Sequence, residues 1–320
     1  MNNLLVLGGS GFVGRSVCDK LVERSGGAGG HITVPSRRPQ RAKHLQMLPN
    51  VRVVAADVHD PAQLRMLVQG CDAVINLVAI LHGNEQAFYR AHVALPRKLA
   101  DACNDVGVRR LVHVSALGVG ESGDPPAPSH YLRSKAAGEV VLRGAGLELT
   151  LLRPSVIFGE HDRLLNLFAS LQTVFPLVPL AGADARFQPV WVQDVAAAVL
   201  RCLELPQTIG QTFECAGPQV LTLRQIVEAA GRWSGHPRPV FGLPGPLAYI
   251  QAALMELLPG EPLMSRDNLA SMRAANVATG RHPGLATLGI TAASLDAVAS
   301  GYLAAHQGIA RLDRWRAREP

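Results

Sequence analysis

A short apolar run that breaks into glycines constrains the fold of this chain more than any other feature of its sequence. The run at residues 4–7 has the length of a buried strand, and Gly8, Gly11 and Gly14 follow it. Glycines permit a tight turn, and the apolar residues after the turn recur at helical spacing. A helix that begins there directs its N–H groups at a pyrophosphate. We predict a nucleotide-phosphate site here; the alternative is a glycine turn that binds nothing.

Apolar strand-like runs alternate with helix-length segments through the first half of the chain. The runs lie at residues 4–7, 31–34, 51–55, 73–78, 110–114 and 148–152. Helices are predicted over residues 12–24, 61–69, 85–106 and 130–145. This alternation is typical of a parallel sheet covered on both faces. We predict an α/β fold, a Rossmann-like doubly wound parallel sheet, with a dinucleotide-binding domain at residues 1–153.

The pattern changes after residue 153, where prolines separate shorter elements. We predict that residues 154–320 form a smaller C-terminal α/β substrate or partner lobe, interleaved with the first domain, and end in a basic tail. Helices are predicted over residues 222–234 and 246–258. The second is apolar around most of its circumference. Two interpretations of it stay open: burial, or an exposed face that meets a membrane, a partner or a lipid-tailed substrate.

One stretch of the second half, residues 164–183, carries no charged side chain. It does not qualify as a membrane span, because Pro176 and Pro179 break the helix and Gln172 dilutes its apolarity. We expect a buried helix and loop beside a ligand pocket.

The net charge bears on the possible partners of this protein. The formal charge is +6, and arginines near the end contribute to it: Arg311, Arg314, Arg316 and Arg318. They form a solvated tail or contact an anionic membrane surface or an acidic partner. No nucleic-acid motif appears, so we expect no nucleic-acid binding.

Cysteine usage indicates a cytoplasmic protein. The five scattered cysteines are predicted to be reduced packing residues, and the early start of the first strand predicts no secretion signal. The alternative location is the inner face of a membrane, as a peripheral protein.

Three polar residues form the most informative constellation. Ser115 directly follows the run at residues 110–114, at the strand end where ligands of open parallel sheets bind. Tyr131 and Lys135 are four residues apart in a helical segment and share one face. A phenol has an ordinary pKa of about 10, and a neighbouring ammonium lowers it. A tyrosine in this setting can exchange a proton with an alcohol or a carbonyl.

The end of the second strand favours NADP(H), with NAD as the second choice. NAD binders need an acidic residue there to accept hydrogen bonds from the ribose 2′-hydroxyl, and none is present. The strand instead ends at Ser36, followed by Arg37 and Arg38. Guanidinium groups suit a 2′-phosphate, although both arginines can also simply solvate the loop.

Other candidate motifs are weaker. The eleven histidines never pair at metal-ligand spacing with cysteine or carboxylate, so we predict no metal site. Gly118, Gly120 and Gly123 lack the lysine of a phosphate-binding loop and predict a mobile loop instead. Asp162 lies in a titratable cluster that either borders a substrate or caps a helix.

The spaced motifs resemble the extended form of the short-chain dehydrogenase/reductase superfamily, of the NAD-dependent epimerase/dehydratase kind. The residues that carry the resemblance are Gly8, Gly11, Gly14, Asp57, Ser115, Tyr131 and Lys135. Residues 152–159 and 189–196 match extended members as well. Residues 73–81 and 114–118 resemble more finely the atypical branch that contains an NAD(P)H-binding accessory subunit of respiratory complex I, alpha-subcomplex subunit nine, and its bacterial relatives.

The resemblance implies a role for each matching residue. Tyr131 is the acid/base, Lys135 holds the nicotinamide ribose and lowers the tyrosine pKa, and Ser115 orients the substrate oxygen. Many members have an asparagine where this chain has His92, which is then either a proton relay or a structural residue. The implied cofactor-binding residues are Gly8, Gly11, Phe12, Val13, Gly14, Ser36, Arg37, Arg38, Asp57, Val58, Leu77, Val78, Ala79, Tyr131, Lys135, Pro154 and Ile157.

Three functions are therefore in competition. The first is an NADP(H)-dependent oxidoreductase acting on a hydrophobic, quinone- or isoprenoid-like substrate. The second is an NADPH-binding structural or assembly protein of a respiratory or quinone-pathway complex, peripheral to a membrane. The third is a nucleotide-sugar epimerase or dehydratase, for which Arg163, Arg186 and Arg201 offer cationic groups.

Overall fold

The computed structural model describes residues 2–27, 30–121, 123–257 and 262–304. The strands are β1 (Asn3–Leu7), β2 (His31–Ser36), β3 (Val51–Ala55), β4 (Ala73–Asn76), β5 (Arg110–Val114), β6 (Glu148–Pro154), β7 (Ile157–Phe158), β8 (Val178–Leu180), β9 (Arg186–Phe187), β10 (Val190–Trp191), β11 (Thr212–Cys215), β12 (Leu221–Thr222) and β13 (Val240–Gly242). The helices are α1 (Phe12–Ser25), α2 (Lys43–Gln46), α3 (Pro61–Val68), α4 (Glu85–Tyr89), α5 (Leu95–Val106), α6 (His130–Arg143), α7 (Leu164–Val174), α8 (Val192–Glu204), α9 (Leu223–Trp233), α10 (Gly245–Glu256), α11 (Arg266–Ser271) and α12 (Leu295–Leu303).

The chain divides into two compact units. The first comprises residues 1–154, 192–215 and 279–291, and the second comprises residues 155–191, 216–278 and 292–320. The tail arginines, and Leu258 at the end of the predicted second-half helix, lie outside the described residues.

A seven-stranded sheet forms the centre of the first unit. Its order is β11-β6-β5-β4-β1-β2-β3, and every neighbouring pair is parallel. The strand order reverses between β1 and β4, which makes their carboxyl ends the topological switch point. The predicted doubly wound parallel sheet is confirmed. Sequence reasoning missed β11, the edge strand, and α8, which contacts α1.

The apolar pattern of the strands explains how this sheet is buried. Strand β4 is buried along its whole length, as expected when helices cover both faces. On one face Leu5, Val74 and Leu111 pack with Leu64 of α3 and Leu99 of α5. The described thiols Cys18, Cys71, Cys103, Cys202 and Cys215 are free, and four of them are buried.

Helix starts follow the capping residues. Asp60 accepts hydrogen bonds from the N–H groups of Ala62 and Gln63 ahead of α3, and Pro61 occupies its first turn. Ser129 caps α6 in the same way through the N–H of Leu132.

The predicted helix over 85–106 is interrupted. A π-helical segment, Arg90–Ala94, separates α4 from α5. Pro96 has no N–H to donate to the carbonyl of His92 four residues earlier, so a regular α-helical ladder cannot continue there. The freed carbonyl faces Gly138 of α6, where a Cβ would lie 2.0 Å from the His92 oxygen.

The second unit has its own core. Phe168 of α7, Leu223 and Val227 of α9, Val240 of β13 and Leu295 of α12 belong to it. Three two-stranded sheets frame this core: β7 with β10, β8 with β13, and β9 with β12.

The expectation of a buried helix and loop at residues 164–183 is only half right. Helix α7 packs into the core, but Val174, Phe175 and Leu177 beyond its buried part are exposed. Helix α10, for which burial and an exposed face were both open, has one buried and one exposed side. Ala248 and Ala252 are buried, whereas the large apolar side chains on the opposite side of α10 are exposed. Within the described residues, no helix is both long and apolar enough to cross a bilayer.

Candidate active site

The glycine turn after β1 has the geometry of an anion cradle. Gly8 has a φ of 81°, and a Cβ at Gly14 would lie 2.3 Å from the Gly8 carbonyl oxygen. Helix α1 begins at Phe12, and Val13 is its second residue. Among the described residues, no side chain caps the first N–H groups of this helix. Its first turn also holds no acidic residue. These N–H groups can therefore receive an anion.

The loops after β1 and β4 meet at the switch point. The N–H of Leu77 donates to the Leu7 carbonyl at 2.9 Å. The backbone of Leu77 and Val78 lies so close to Gly8 that a Cβ there would approach within 3.1 Å. The turn and residues 77–79, including Ala79, thus border one crevice at the carboxyl edge of the sheet.

The ends of β2 and β3 lie at the same edge. The Ser36 hydroxyl accepts the Arg38 N–H at 3.2 Å. Arg37 and Arg38 are exposed, and no ion pair recorded among the described residues involves either. After β3, the Asp57 carboxylate accepts the His59 N–H at 3.0 Å. Val58 packs against the core of the first unit.

The Ser115 hydroxyl at the end of β5 is buried without a hydrogen-bond partner. Ser115 is 4% exposed, and its N–H donates to the Leu152 carbonyl at 2.7 Å. Its Oγ is a buried polar atom with no partner among the described residues. An unpaired buried hydroxyl costs about 1–3 kcal/mol, so this oxygen is suited to a ligand. Pro154 at the end of neighbouring β6 accepts the Leu117 N–H at 2.9 Å.

Lys135 lies next to Ser115. Its Nζ donates to the Val114 carbonyl at 3.1 Å, and the side chain is buried. Burial lowers the pKa of Lys135 to about 8, against an opposing effect of Glu139. Two histidines with lowered pKa values, His92 and His113, lie near enough to sense its charge.

Tyr131 is half-buried one helical turn before Lys135. Its ring packs edge-on against Phe88 at 6.0 Å and against His92 at 5.5 Å between centroids. We expected Lys135 to lower the tyrosine pKa, but burial raises the pKa of Tyr131 to about 12. The phenol is therefore protonated at neutral pH and is set to act as a proton donor.

Sequence reasoning missed two buried polar residues at this edge. Asn76 at the end of β4 hydrogen-bonds to His113 of β5 at 3.1 Å, and its Oδ1 accepts the Val78 N–H at 3.1 Å. Burial, and after it the charge of Lys135, lowers the pKa of His113 well below its ordinary value. A polar residue inside each of two apolar runs, 73–78 and 110–114, was the available signal.

Other residues of interest form contacts within their own unit. Asp162 caps the start of α7 through the Leu165 N–H at 2.7 Å and accepts the Tyr302 hydroxyl at 2.6 Å. Glu121, in the loop expected to be mobile, is paired with Arg153 and His282. Ile157 lies on β7, which belongs to the second unit. Arg201 belongs to the first unit, where it pairs with Glu204.

Comparison with known proteins decides the family. A family model described as NAD(P)H-binding matches residues 8–206. The chain belongs to this family. Within it, the chain is 31% identical to "NADH dehydrogenase [ubiquinone] 1 alpha subcomplex subunit 9, mitochondrial" of Mus musculus, over 98% of this chain and 82% of that protein. The identity is high enough over that span to place the chain in the family of this subunit.

Two further similarities are more distant. The chain is 24% identical to 2-alkyl-3-oxoalkanoate reductase of Shewanella oneidensis, over 83% of this chain and 76% of that protein. A nucleoside-diphosphate-sugar epimerase from Staphylococcus aureus matches with a TM-score of 0.73 at 16% identity, covering 95% of this chain and all of that structure. The structural likeness supports the fold alone.

The residues of the first unit fit the dinucleotide of an NAD(P)H-binding family member. The glycine turn after β1 and the uncapped start of α1 suit a pyrophosphate. The buried Ser115 hydroxyl, which has no partner among the described residues, offers a polar atom to a ligand at the carboxyl end of β5. Within the described residues, no group of three or more potential ligands is placed to hold a metal ion.

Proposed function

We propose that this NAD(P)H-binding protein is an NADPH-dependent reductase of carbonyl groups on hydrophobic substrates. The observation that supports it most is the buried Ser115 hydroxyl, which has no hydrogen-bond partner among the described residues and lies beside a buried Lys135. A bound NADPH would supply the hydride that the carbonyl carbon of the substrate accepts. Ser115 donates a hydrogen bond to the substrate oxygen, and Tyr131 donates the proton that turns that oxygen into an alcohol. Lys135 supplies positive charge next to the developing oxyanion.

A protonated tyrosine favours reduction over oxidation. With its pKa raised to about 12, Tyr131 holds its proton at neutral pH and can deliver it to an alkoxide. Lys135, with a pKa lowered to about 8, is still mostly charged at pH 7. The relative 2-alkyl-3-oxoalkanoate reductase is named for a carbonyl reduction on an alkyl-chain substrate, which supports the same substrate class here.

NADPH is the proposed cofactor because Arg37 and Arg38 follow β2 where NAD binders carry an acidic residue. Both are exposed and available to a 2′-phosphate. We expect Arg37→Ala to weaken NADPH binding about tenfold, the size of one charge-assisted hydrogen bond, with NADH binding unchanged. Arg41→Ala, exposed four residues later, is the matched control. Equal NADPH and NADH affinities in the unaltered protein would contradict this choice.

The catalytic proposal is tested with Tyr131→Phe. NADPH oxidation is followed against a panel of quinones, isoprenoid ketones and 3-oxo acyl compounds. We expect turnover to fall at least about hundredfold in this variant, since general acid catalysis contributes that much. Tyr89→Phe, at a position of α4 where the side chain is 51% exposed, should retain full activity. If NADPH binds tightly but no member of the panel oxidises it, the proposed reductase activity is refuted.

One observation favours a second function, that of a cofactor-binding assembly protein at a membrane. The side of α10 that carries Leu247, Ile250, Leu254 and Leu257 holds no charged residue, and each of these leucines and the isoleucine is at least 52% exposed. Phe241 of adjacent β13 is exposed as well, and Gln251 ties α10 to β8 by donating to the Pro179 carbonyl at 3.0 Å. We call the five exposed apolar residues, Phe241, Leu247, Ile250, Leu254 and Leu257, the apolar face.

An apolar surface of this kind suits an apolar partner. The relative named as a subunit of NADH dehydrogenase [ubiquinone] supports assembly with a respiratory complex. We expect the protein to sediment with inner-membrane fractions or anionic lipid vesicles, and Ile250→Glu with Leu254→Glu to release it. Met66→Glu, at a 66% exposed position of α3, is the control for a charge added elsewhere on the surface. A double variant that sediments as well as the unaltered protein would refute this function.

A nucleotide-sugar substrate has less support. Arg163 and Arg186 are exposed in the second unit, but Arg201, the third candidate cation, is held by Glu204 and the Leu288 carbonyl in the first unit. The structural likeness to a nucleoside-diphosphate-sugar epimerase concerns the fold.

A further inference from the structure

We infer that His92 is a positioning residue that ties the cofactor-side segment after β4 to helix α6, as a neutral imidazole carrying its proton on Nδ1. It links two parts of the site of the proposed reductase without transferring a proton itself. The inference rests on the proposed function only for its consequence for turnover. The link and the tautomer concern the protein alone.

The hydrogen bonds of His92 determine its protonation. Its Nε2 lies 3.1 Å from the N–H of Ile80, which is a donor, so Nε2 must be the unprotonated acceptor. A neutral ring then carries its proton on Nδ1, which donates to the Ser134 hydroxyl at 2.8 Å. Ser134 in turn donates to the Tyr131 carbonyl at 2.7 Å. Every proton in this chain of contacts has one acceptor.

A charged His92 would fit neither the contacts nor the surroundings. Protonation would set an Nε2–H against the Ile80 N–H. The ring is 2% exposed, and the groups that face it are Lys135 of α6 and His113 of β5, with the rings of Phe88 and Tyr131 packed beside it. Burial first, then Lys135, lowers the pKa of His92 to about 2.

The two ends of the link matter to the site. Ile80 directly follows residues 77–79, which border the crevice at the switch point. Ser134 lies between Tyr131 and Lys135 on α6. The π-helical segment and the close approach of Gly138 hold the backbone of His92 against α6. Because the ring is fixed in this way, a shift of the segment that contains Ile80 is expected to shift α6 as well.

The tautomer is tested on the unaltered protein without any ligand. Nitrogen-15 NMR of the His92 ring distinguishes a protonated from an unprotonated nitrogen at each position. We expect Nδ1 protonated and Nε2 unprotonated, unchanged across about pH 5 to pH 8, where an ordinary histidine titrates. A proton on Nε2, or titration within that range, would overturn the inference.

The link is tested by amide hydrogen exchange at Ile80. Ser134→Ala removes only the α6 end of the link, yet we expect the Ile80 N–H to exchange about fivefold faster, the size of one lost hydrogen bond. Ser300→Ala is the matched control, because Ser300 also donates to a carbonyl of its own helix, at 2.7 Å, but in the second unit. Exchange at Ile80 that Ser134→Ala leaves unchanged would show that His92 does not couple the segments.

A third variant connects the link to turnover. His92→Phe keeps the ring packing and removes both hydrogen bonds. If the unaltered protein oxidises NADPH as proposed, we expect kcat to fall about tenfold or more through misplacement of Tyr131, with the pH profile keeping its shape. A kcat that stays unchanged, or a profile that loses an ionisation near pH 6.5, would refute the positioning role. Failure of the unaltered protein to turn over would refute only the proposed reductase, since the tautomer and exchange tests need no activity.

Discussion

Folded proteins usually bury apolar side chains and expose polar ones, and the two units depart from this rule in opposite ways. The first unit buries polar and charged side chains, among them Lys135 of α6, His92 of the π-helical segment and Arg153 of β6. The second unit exposes large apolar groups along α10. Buried polar groups in the first unit are almost all held by specific hydrogen bonds, whereas nothing described in the second unit covers the apolar face. The first pattern is typical of a preorganised site, and the second of a surface that meets an apolar partner.

The strongest test of the first pattern is the buried ion pair behind the site. Arg153 donates to both carboxylate oxygens of Glu139, at 2.9 Å and 2.6 Å, and Glu139 is 1% exposed. Arg153→Met leaves that carboxylate buried without its main partner, so we expect a loss of about 3–5 kcal/mol in the free energy of unfolding, measured by urea denaturation.

Arg143→Met is the matched control for this change. Arg143 pairs with the same carboxylate at 3.0 Å, but its side chain is 41% exposed. We expect a loss below about 1 kcal/mol, because water screens the exposed pair. Equal losses in the two variants would mean that burial does not set the strength of this network.

Lys135→Met should stabilise the ligand-free protein at pH 7. The unfolded lysine titrates at about 10.5 and the folded one at about 8, so the folded state disfavours the charge by about 3 kcal/mol. Loss of the hydrogen bond to the Val114 carbonyl returns about 1 kcal/mol. The net gain is about 2 kcal/mol.

The pH dependence of this gain identifies its cause. Between pH 8 and 10.5 the unfolded state binds a proton that the folded state has lost, so the stability of the unaltered protein rises with pH. The advantage of Lys135→Met therefore shrinks across that window in denaturation curves. An advantage that persists above it would have to come from packing.

The smallest effect is expected on the apolar face. Leu254 is 60% exposed, so Leu254→Glu should change the free energy of unfolding by less than about 0.5 kcal/mol. Ala252→Glu, on the buried side of the same helix, should cost several times more, because it buries a charge. A large loss for Leu254→Glu in thermal unfolding would show that this side is already covered within the chain.

The alternating apolar runs predicted the sheet and the helices that cover it, because continuous buried strands and capped helices are local signals. The edge strand β11 gives no such signal. Its four residues include Glu214, which is buried and held by Thr279 and Gly280 at 2.6 to 3.0 Å. That partnership joins residues far apart in sequence, and no local pattern indicates it.

The candidate site divides in the same way. Ser115, Tyr131 and Lys135 were predicted from strand ends and helical spacing. The sign of the shift in the tyrosine pKa was wrong, because burial depends on Phe88 and His92, which pack on the ring from another element. The choice between relay and structural roles for His92 needed the positions of Ile80 and Ser134, twelve and forty-two residues away.

The break between α4 and α5 makes the residues allowed at positions 96 and 138 depend on each other through the backbone of His92. Pro96 frees the His92 carbonyl, and position 138 then has room for nothing larger than hydrogen. A chain that exchanged Pro96 for a residue with an N–H would recover the regular helix and loosen the requirement at position 138. Descendants that change one of these positions are therefore expected to change the other, and the pair should appear as a correlated substitution rather than as two independent ones.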